Sequence, residues 1–557
     1  EYILQYPKKQ RKKYIQGHIM KFNPQNFERN LFFENSNTDT AQLIHDTIQF
    51  TTRYPEVLTR IHEDQIAHGL TKKKQRLEDV AFNRKQQAKH EAFLPGMSDL
   101  CCKNDENVLQ DDDLVLQQGR DRVPPLVVFI LLILRGFYGS ITNRTAVDRI
   151  GESCTLQIVL SHFGYRCPKR SSISENLNCI CEETLDFILK CQLQHAYNLH
   201  LDDFKESTID STSCYADMAF PTDTRLVSVS ACNLWSILEA LGDQKLIEFA
   251  PGSCAEKWVR KVRNLSLAIS MTSCKSDTLY RKRVRELADA AAKLVGKLEP
   301  YVCKLNERVK NEEYGTMLAP AWRAFVKLTE MADRNYTATC HSIGQMVARV
   351  LKNRKLKAYE KYLGPADPDA KLIAKGDRKP VVGYHPQLAR SREGLVTCVQ
   401  LNPDMLSDSR SLIPTLKQSI ENTGIVPRIL STDDGYTSGD NLAMAKQIGV
   451  KDISFSGAKG KKLYDEEEWN SLIMCELRNS RSAVESLMFT LKHNHEFDRM
   501  KRTGLQAVRA EMIEKVLAYN FRRIRTLRIR RAISMKNLAP GENGASPPTT
   551  AASANVA

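Results

Sequence analysis

The chain has 557 residues, 42% of them hydrophobic and 26% charged, which is too apolar for wholesale disorder and long enough for several packed domains. Its longest apolar run, Leu126–Leu134, spans nine residues, well short of the ~20 that a membrane helix needs. No signal peptide is read at the basic N-terminus. Lys and Arg outnumber Asp and Glu by 81 to 66, a net charge of +15, which points to a polyanionic partner, and to DNA or RNA before a membrane surface.

The 15 cysteines include no CxxC pair. Zinc sites show tighter pairing, so reduced thiols of a cytoplasmic protein are the expected reading.

Along the chain, residues 1–100 read as a basic N-terminal region with runs at Lys8–Lys13 and at Lys72, Lys73, Lys74 and Arg76. An acidic linker covers 101–123. Residues 124–200 read as a helical, helix-turn-helix-like DNA-binding unit. Pro124 and Pro125 open its first helix, Ser140 caps a second through Ile150, and a third runs about Thr155–Phe163. A fourth, with Ser172 and Glu175 at capping-box spacing, continues to about Lys190. A catalytic domain is expected over 201–525, interrupted by a helical block at about 225–363 whose clearest helix is Thr278–Lys310.

Thr208–Ser213 alternates as a strand does. Further strands are read at Val381–Tyr384 and Leu395–Leu401, then a helix at Ser411–Thr423 ended by Gly424. Val426–Thr432 is a strand, Asp433-Asp434-Gly435-Tyr436 the turn leaving it, and Ser438 the cap of a helix to Ile448 that Gly449 closes. Asp452–Ser456 is the next strand. The remainder, 526–557, reads as a basic stretch (Arg522–Arg531 leading into it) and a disordered tail after Ala539.

The chemistry concentrates in three places. Asp210 lies in a strand. Asp433 lies at the C-terminal end of another, where α/β sheets put ligand groups. In 478–492, Val484, Leu487, Met488 and Leu491 form a core stripe, and Arg478, Arg481, Glu485 and Lys492 form a second stripe beside it. That second stripe is either a surface ion-pair ladder or a carboxylate set among cations to meet metal and phosphate. Two strand carboxylates and one helix carboxylate can hold a pair of divalent cations for phosphodiester chemistry, and oxygen ligands suit Mg²⁺. The Lys459, Lys461 and Lys462 loop after the last strand has the wrong spacing for a Walker A motif. It reads as a DNA-phosphate contact or as plain surface.

These residues resemble those of bacterial insertion-sequence DDE transposases of the RNase-H-like superfamily. Ile209-Asp210-Ser211-Thr212, with Phe220-Pro221-Thr222-Asp223-Thr224 after it, resembles the first-Asp region. Ser431–Ser438 with Asn441 resembles the D-x-G-Y second-Asp signature, whose register selects Asp433 over Asp434. Arg481, Glu485 and Lys492 reproduce the R-(3)-E-(6)-K signature, and Gly383-Tyr384-His385-Pro386-Gln387 resembles the strand region before the second Asp. The tyrosine that relatives often carry three residues before the arginine is here Arg478, so a role built on that tyrosine does not carry over.

The resemblance implies an α/β RNase-H-like catalytic domain with a helical insertion, preceded by an all-helical DNA-binding region. It implies Asp210, Asp433 and Glu485 as catalytic metal ligands, Mg²⁺ or Mn²⁺ as a pair of ions, and DNA contacts from Arg478, Arg481, Lys492, Lys459, Lys461 and Lys462. The expected activity is cleavage at element ends and strand transfer into target DNA, by a homodimer in a synaptic complex without membrane attachment and associated with the nucleoid. A nuclease or resolvase of the same fold, and a non-catalytic DNA-binding derivative, remain as alternatives.

Overall fold

The apolar run at 126–134 fixes where the core lies. In the computed structural model, which describes residues 39–91, 123–139, 169–218, 222–250, 252–271, 277–357, 360–373, 379–402, 407–538 and scattered positions between 142 and 161, that run is buried from end to end. The basic run Lys8–Lys13, the acidic linker, Phe220-Pro221 and the tail after Ala539 lie outside the described residues, as do most of the helices expected at 140–163.

The first described helices are α1 (Asp39–Arg53), α2 (Glu56–Glu91), α3 (Pro125–Phe137), α4 (Arg170–Asn178) and α5 (Glu182–Asn198). Strands β1 (Glu206–Ser211) and β2 (Cys214–Tyr215) follow. The insertion is α6 (Asp223–Asp243), α7 (Ser253–Ser270), α8 (Asp277–Lys310) and α9 (Ala319–Met346), ending in a π-turn at Val347–Leu351. Next come β3 (Lys371–Ile373), β4 (Val381–Tyr384), β5 (Gln387–Ser391), β6 (Val396–Gln400), α10 (Asp408–Thr423), β7 (Ile429–Thr432), α11 (Gly439–Ile448) and β8 (Asp452–Phe455). The chain closes with α12 (Ala458–Lys461), α13 (Glu466–Asn470), α14 (Leu472–Ser480), α15 (Ser482–Asn494) and α16 (Leu505–Leu538).

Five strands form one sheet in the order β6-β5-β1-β7-β8. β5 and β6 run antiparallel, and β1, β7 and β8 run parallel. The side-chain period of two sends Ile209, Ala389, Leu430 and Ile453 to one face, against Leu412 and Leu416 of α10 and Leu477 of α14. Leu388, Val396 and Val399 join the other face, under α3, α5 and α16. This mixed sheet between two helical layers is compatible with an RNase-H-like fold. A second sheet, β2-β4-β3, flanks it.

The helices of the insertion begin at Asp223 and end at Leu351, short of the expected end at about 363, and they have their own core, built around Leu234, Leu238, Leu287, Leu294 and Phe325. Three expectations change. The helices at 124–200 share one core with α16 and the sheet, because α3 is apolar all round and must be covered on every side. Ser172 caps nothing: the helix starts two residues earlier, Glu175 reaches Lys72 instead at 2.6 Å, and the chain breaks between α4 and α5. The boundary expected at 525 falls inside α16, whose basic stretch packs on α1, with Arg525 donating to Asp46 (2.7 Å) and Gln42 (2.9 Å).

Helices α3 and α16 cross closely at Gly136. A Cβ there would overlap the Glu514 carbonyl. Beside the crossing, Arg135 pairs with Glu514 at 2.7 Å, both about 5% exposed or less, and Arg502 reaches the same carboxylate at 2.7 Å. Burial pushes the Glu514 carboxyl up, but the two guanidinium groups overcome it and hold it below its ordinary range. Gly136→Ala is expected to force the helices apart and remove about 1–3 kcal/mol or more of stability, read as a fall in the thermal unfolding midpoint.

Two buried imidazoles set an acid limit. Burial pulls both His195 and His495 down to about 4, so the fold prefers them neutral. A depressed histidine contributes stability above its ordinary value of ~6.5 that is lost as pH falls toward the folded value. Stability should therefore decline between about pH 6.5 and 4, by up to roughly 3 kcal/mol per histidine. His495→Phe, whose ring keeps the contacts with Phe137 and Tyr519, should flatten that decline in denaturant titrations across the window.

Candidate active site

β1 and β7 are adjacent parallel strands in which Ile209 stands opposite Thr432. Asp210 and Asp433 are the next residue on each, so they leave the same end of the sheet side by side. Asp210 accepts the Ser211 N–H at 2.7 Å, and its side chain is 15% exposed. Asp433 accepts the Gly435 N–H at 2.9 Å and opens a single 3-10 turn over Asp434–Tyr436. Asp434 turns the other way, taking the N–H groups of Lys459 (2.9 Å) and Gly460 (3.1 Å). The main chain is drawn against it at Gly457, where φ is +111° and a Cβ would meet the Asp434 side chain at 2.7 Å.

The third carboxylate comes from a helix pair. The stripe expected on one helix over 478–492 lies on α14 and α15, which meet at Arg481. Arg481 keeps helical angles (φ −56°, ψ −34°), so the stripe carries across the junction. Its guanidinium donates to Glu485 at 3.0 Å and stands 4.0 Å from Asp210. Glu485 is 64% exposed, whereas Arg481 is 25% exposed.

The other expected contacts divide. Lys492 is half-buried near Cys214, where its charge opposes the burial that pushes that thiol up to about 12. Arg478 is committed inward: it lies 4.1 Å over the Trp469 ring and donates to the Trp469 carbonyl at 2.8 Å. Lys459, Lys461 and Lys462 are exposed around α12.

A polar network lies beneath the carboxylates. Asp408 bonds the Nε2 of His385 at 2.9 Å and accepts from Gln387 at 3.0 Å. Tyr436, fully buried, donates its hydroxyl to Gln387. Burial, then the charges of Asp408, Asp210 and Asp433, push the Tyr436 hydroxyl far above its ordinary value, so it stays a proton donor. A Cβ on Gly435 would lie 3.1 Å from both Asp408 and Asp433, so glycine is what lets these carboxylates flank the turn. His385, Gln387 and Tyr436 stood inside quoted motifs. Asp408 had only a helix-start signal, in a helix expected to begin three residues later.

The donor set here is carboxylate oxygen, the chemistry of Mg²⁺ and Mn²⁺. Among the described residues no three His, Cys, Asp or Glu side chains converge on one point. Arg481 stands between Asp210 and Glu485 as a cation.

Asp434 anchors the turn. Asp434→Ala leaves two N–H groups without their acceptor and should remove about 1–2 kcal/mol of stability, measured by chemical denaturation.

With the geometry in hand, comparison with known proteins gives one result. Residues 352–521 match the family described as Transposase DDE domain. The match takes in β3 to β8, α14 and α15, with Asp433 and Glu485, and stops short of β1 and Asp210. No curated protein and no solved structure matches the chain. DDE transposases as a family act on DNA and use divalent metal ions, and no described helix here is long and apolar enough to cross a membrane. The match supports a DDE transposase: residues 352–521 are similar to a transposase DDE domain.

Proposed function

We propose that the protein binds the ends of an insertion sequence, cleaves them in a Mg²⁺- or Mn²⁺-dependent reaction and joins them to target DNA. Asp210, Asp433 and Glu485 are the proposed catalytic carboxylates. The observation that carries this reading is Arg481, which links Glu485 to Asp210 while Asp433 lies on the neighbouring parallel strand. Asp210 and Glu485, 275 residues apart in sequence (485 − 210), both face that one guanidinium.

Bound there, a pair of divalent ions would supply charge neutralisation and a polarised water. The chain's own groups do the rest. Asp210 and Asp433 hold negative charge side by side because Asp210 sits in β1 and Asp433 directly follows its neighbour β7. Glu485, exposed on α15, completes the set. Arg481 and Lys492 provide the cations that receive the phosphate as it enters. Lys459, Lys461 and Lys462, exposed beyond β8, extend the basic surface along the DNA backbone. Water adds to phosphorus and the 3′-oxygen leaves as a hydroxyl. That hydroxyl then attacks a target phosphodiester and displaces its 3′-oxygen. Joining two ends in one event implies a homodimer in a synaptic complex.

Arg478 contributes differently in this reading. Its guanidinium is spent on Trp469, so it braces α14 rather than contacting DNA.

Glu485→Gln and Asp433→Asn should each lower cleavage of element-end DNA by at least ~10³-fold while end binding stays within about threefold, measured by gel assay and anisotropy, because each removes a carboxylate charge and keeps the shape. Asp434→Asn should retain cleavage. Full activity of Glu485→Gln in Mg²⁺ overturns the assignment. A strand-transfer assay separates a transposase from a nuclease that only cuts.

A further inference from the structure

The net charge of the chain is not spread evenly. Residues 253–285 hold nine Lys and Arg against two acidic residues, a net of +7, and residues 352–361 hold five against one, a net of +4. Together they carry most of the +15 of the whole chain. They are far apart in sequence but meet in space. Arg281, in the first turn of α8, donates to Asn353 at 2.9 Å, just past the π-turn. Arg283 donates to the Ala268 carbonyl at 3.0 Å, tying α8 to the end of α7.

This meeting point is the root of the insertion, where it joins the catalytic domain. Ser266 of α7 donates to Thr224 in the first turn of α6 at 3.3 Å. Arg349 of the π-turn pairs with Asp223 at the same helix start. α6 follows β2, which begins four residues beyond Asp210.

Some of these cations are locally satisfied: Arg281 by Asp277 at 2.7 Å, Arg354 by Glu360 at 3.6 Å, Arg260 by Glu256 at 3.4 Å. The excess is exposed, and includes Lys282, Arg285, Lys352 and Lys355. A recess of about 460 Å³ on α7, lined by Lys257, Arg260, Lys261, Asn264, Leu265 and Ala268, continues the same cationic face. A solvated helix surface normally alternates charge signs. One-signed charge gathered from three separate segments raises self-repulsion instead, and an anionic partner offsets it.

We propose that the root of the helical insertion is a surface for the phosphate backbone of duplex DNA. The insertion is thereby a DNA-binding element that delivers the duplex to the neighbouring carboxylates. This rests on the transposase reading above. Phosphate contacts carry no sequence information, so the surface acts on any duplex.

The test uses the full chain and a fluorescein-labelled duplex of about 30 base pairs of arbitrary sequence, titrated by anisotropy across a salt series. The variant carries Lys282→Gln, Arg285→Gln, Lys352→Gln and Lys355→Gln, all exposed positions, with a thermal melt to establish folding. A control removes the same kind of charge at the far end of α8 with Lys304→Gln and Lys310→Gln, ~33 Å along the helix. Each lost phosphate contact lowers the slope of log K against log salt by about 0.9, so the fourfold variant should lose about 2 to 3.5 of slope and bind more than tenfold more weakly. The control should lose little. Equal losses in variant and control, or an unchanged slope in the fourfold variant, overturn the proposal while leaving the transposase reading intact. Wild-type chain that binds no duplex at all overturns both.

Discussion

Helix α16 carries three charged side chains at positions where water cannot reach. Glu511, Glu514 and Lys515 are all 1% exposed or less. Unpaired, each such charge would cost several kcal/mol, so the surrounding chain must come to them. Arg135 of α3 and Arg502 converge on Glu514. Glu511 takes Lys515 at 2.8 Å and the N–H groups of Lys501 and Arg502 at 2.9 Å. Lys515 in turn donates to the Glu496 carbonyl at 2.9 Å. The pairing selects one arrangement of α3, α16 and the segment 496–502, because any other strands a charge in the core.

That segment matters because it is the immediate continuation of α15. Its position sets the C-terminal end of the helix bearing Glu485. It is also tied to the first Asp: Tyr215 donates its N–H to the Asp498 carbonyl at 2.6 Å and accepts from Met500 at 2.8 Å. Tyr215 lies on β2, just beyond β1. The strand with Asp210 and the helix with Glu485 are thus fastened to one backbone segment, and that segment is fastened by buried charge to α16. The sheet supplies the remaining constraint, since the parallel β1–β7 register sets Ile209 opposite Thr432 and so brings Asp433, the next residue, beside Asp210.

The insertion lies outside this framework and has a core of its own. Its attachment is narrow: the start of α6, the π-turn, and a brace from α2, whose Asp79 and Asn83 meet Arg323 and the Ala319 N–H. A separately folded element with a narrow root can carry a DNA-facing surface without disturbing the carboxylates. This explains how the 129 residues from Asp223 to Leu351 fit between the first and second Asp while the central sheet stays intact.

Local chemistry was legible in the sequence wherever a short-range rule decided the outcome. Val381–Tyr384 is a strand as read. Ser438 caps α11 through the Asn441 N–H, and Gly449, at φ +113°, closes it. The long helix of the insertion runs Asp277–Lys310. Asp210, Asp433, Arg481 and Glu485 stood out because strand ends and helix stripes are periodic features. The family signature then gave them an order. Tertiary structure alone decided the rest. Whether α3 belonged to a separate unit depended on what covers its second face, and that partner, α16, begins 368 residues after it ends (505 − 137). Asp408 joined the site through a contact with His385 that no periodicity records. The basic root of the insertion exists only because α7, α8 and the π-turn meet. Burial, long-range pairing and shared faces are properties of contacts between distant segments, and a linear pattern holds no record of which segments will touch.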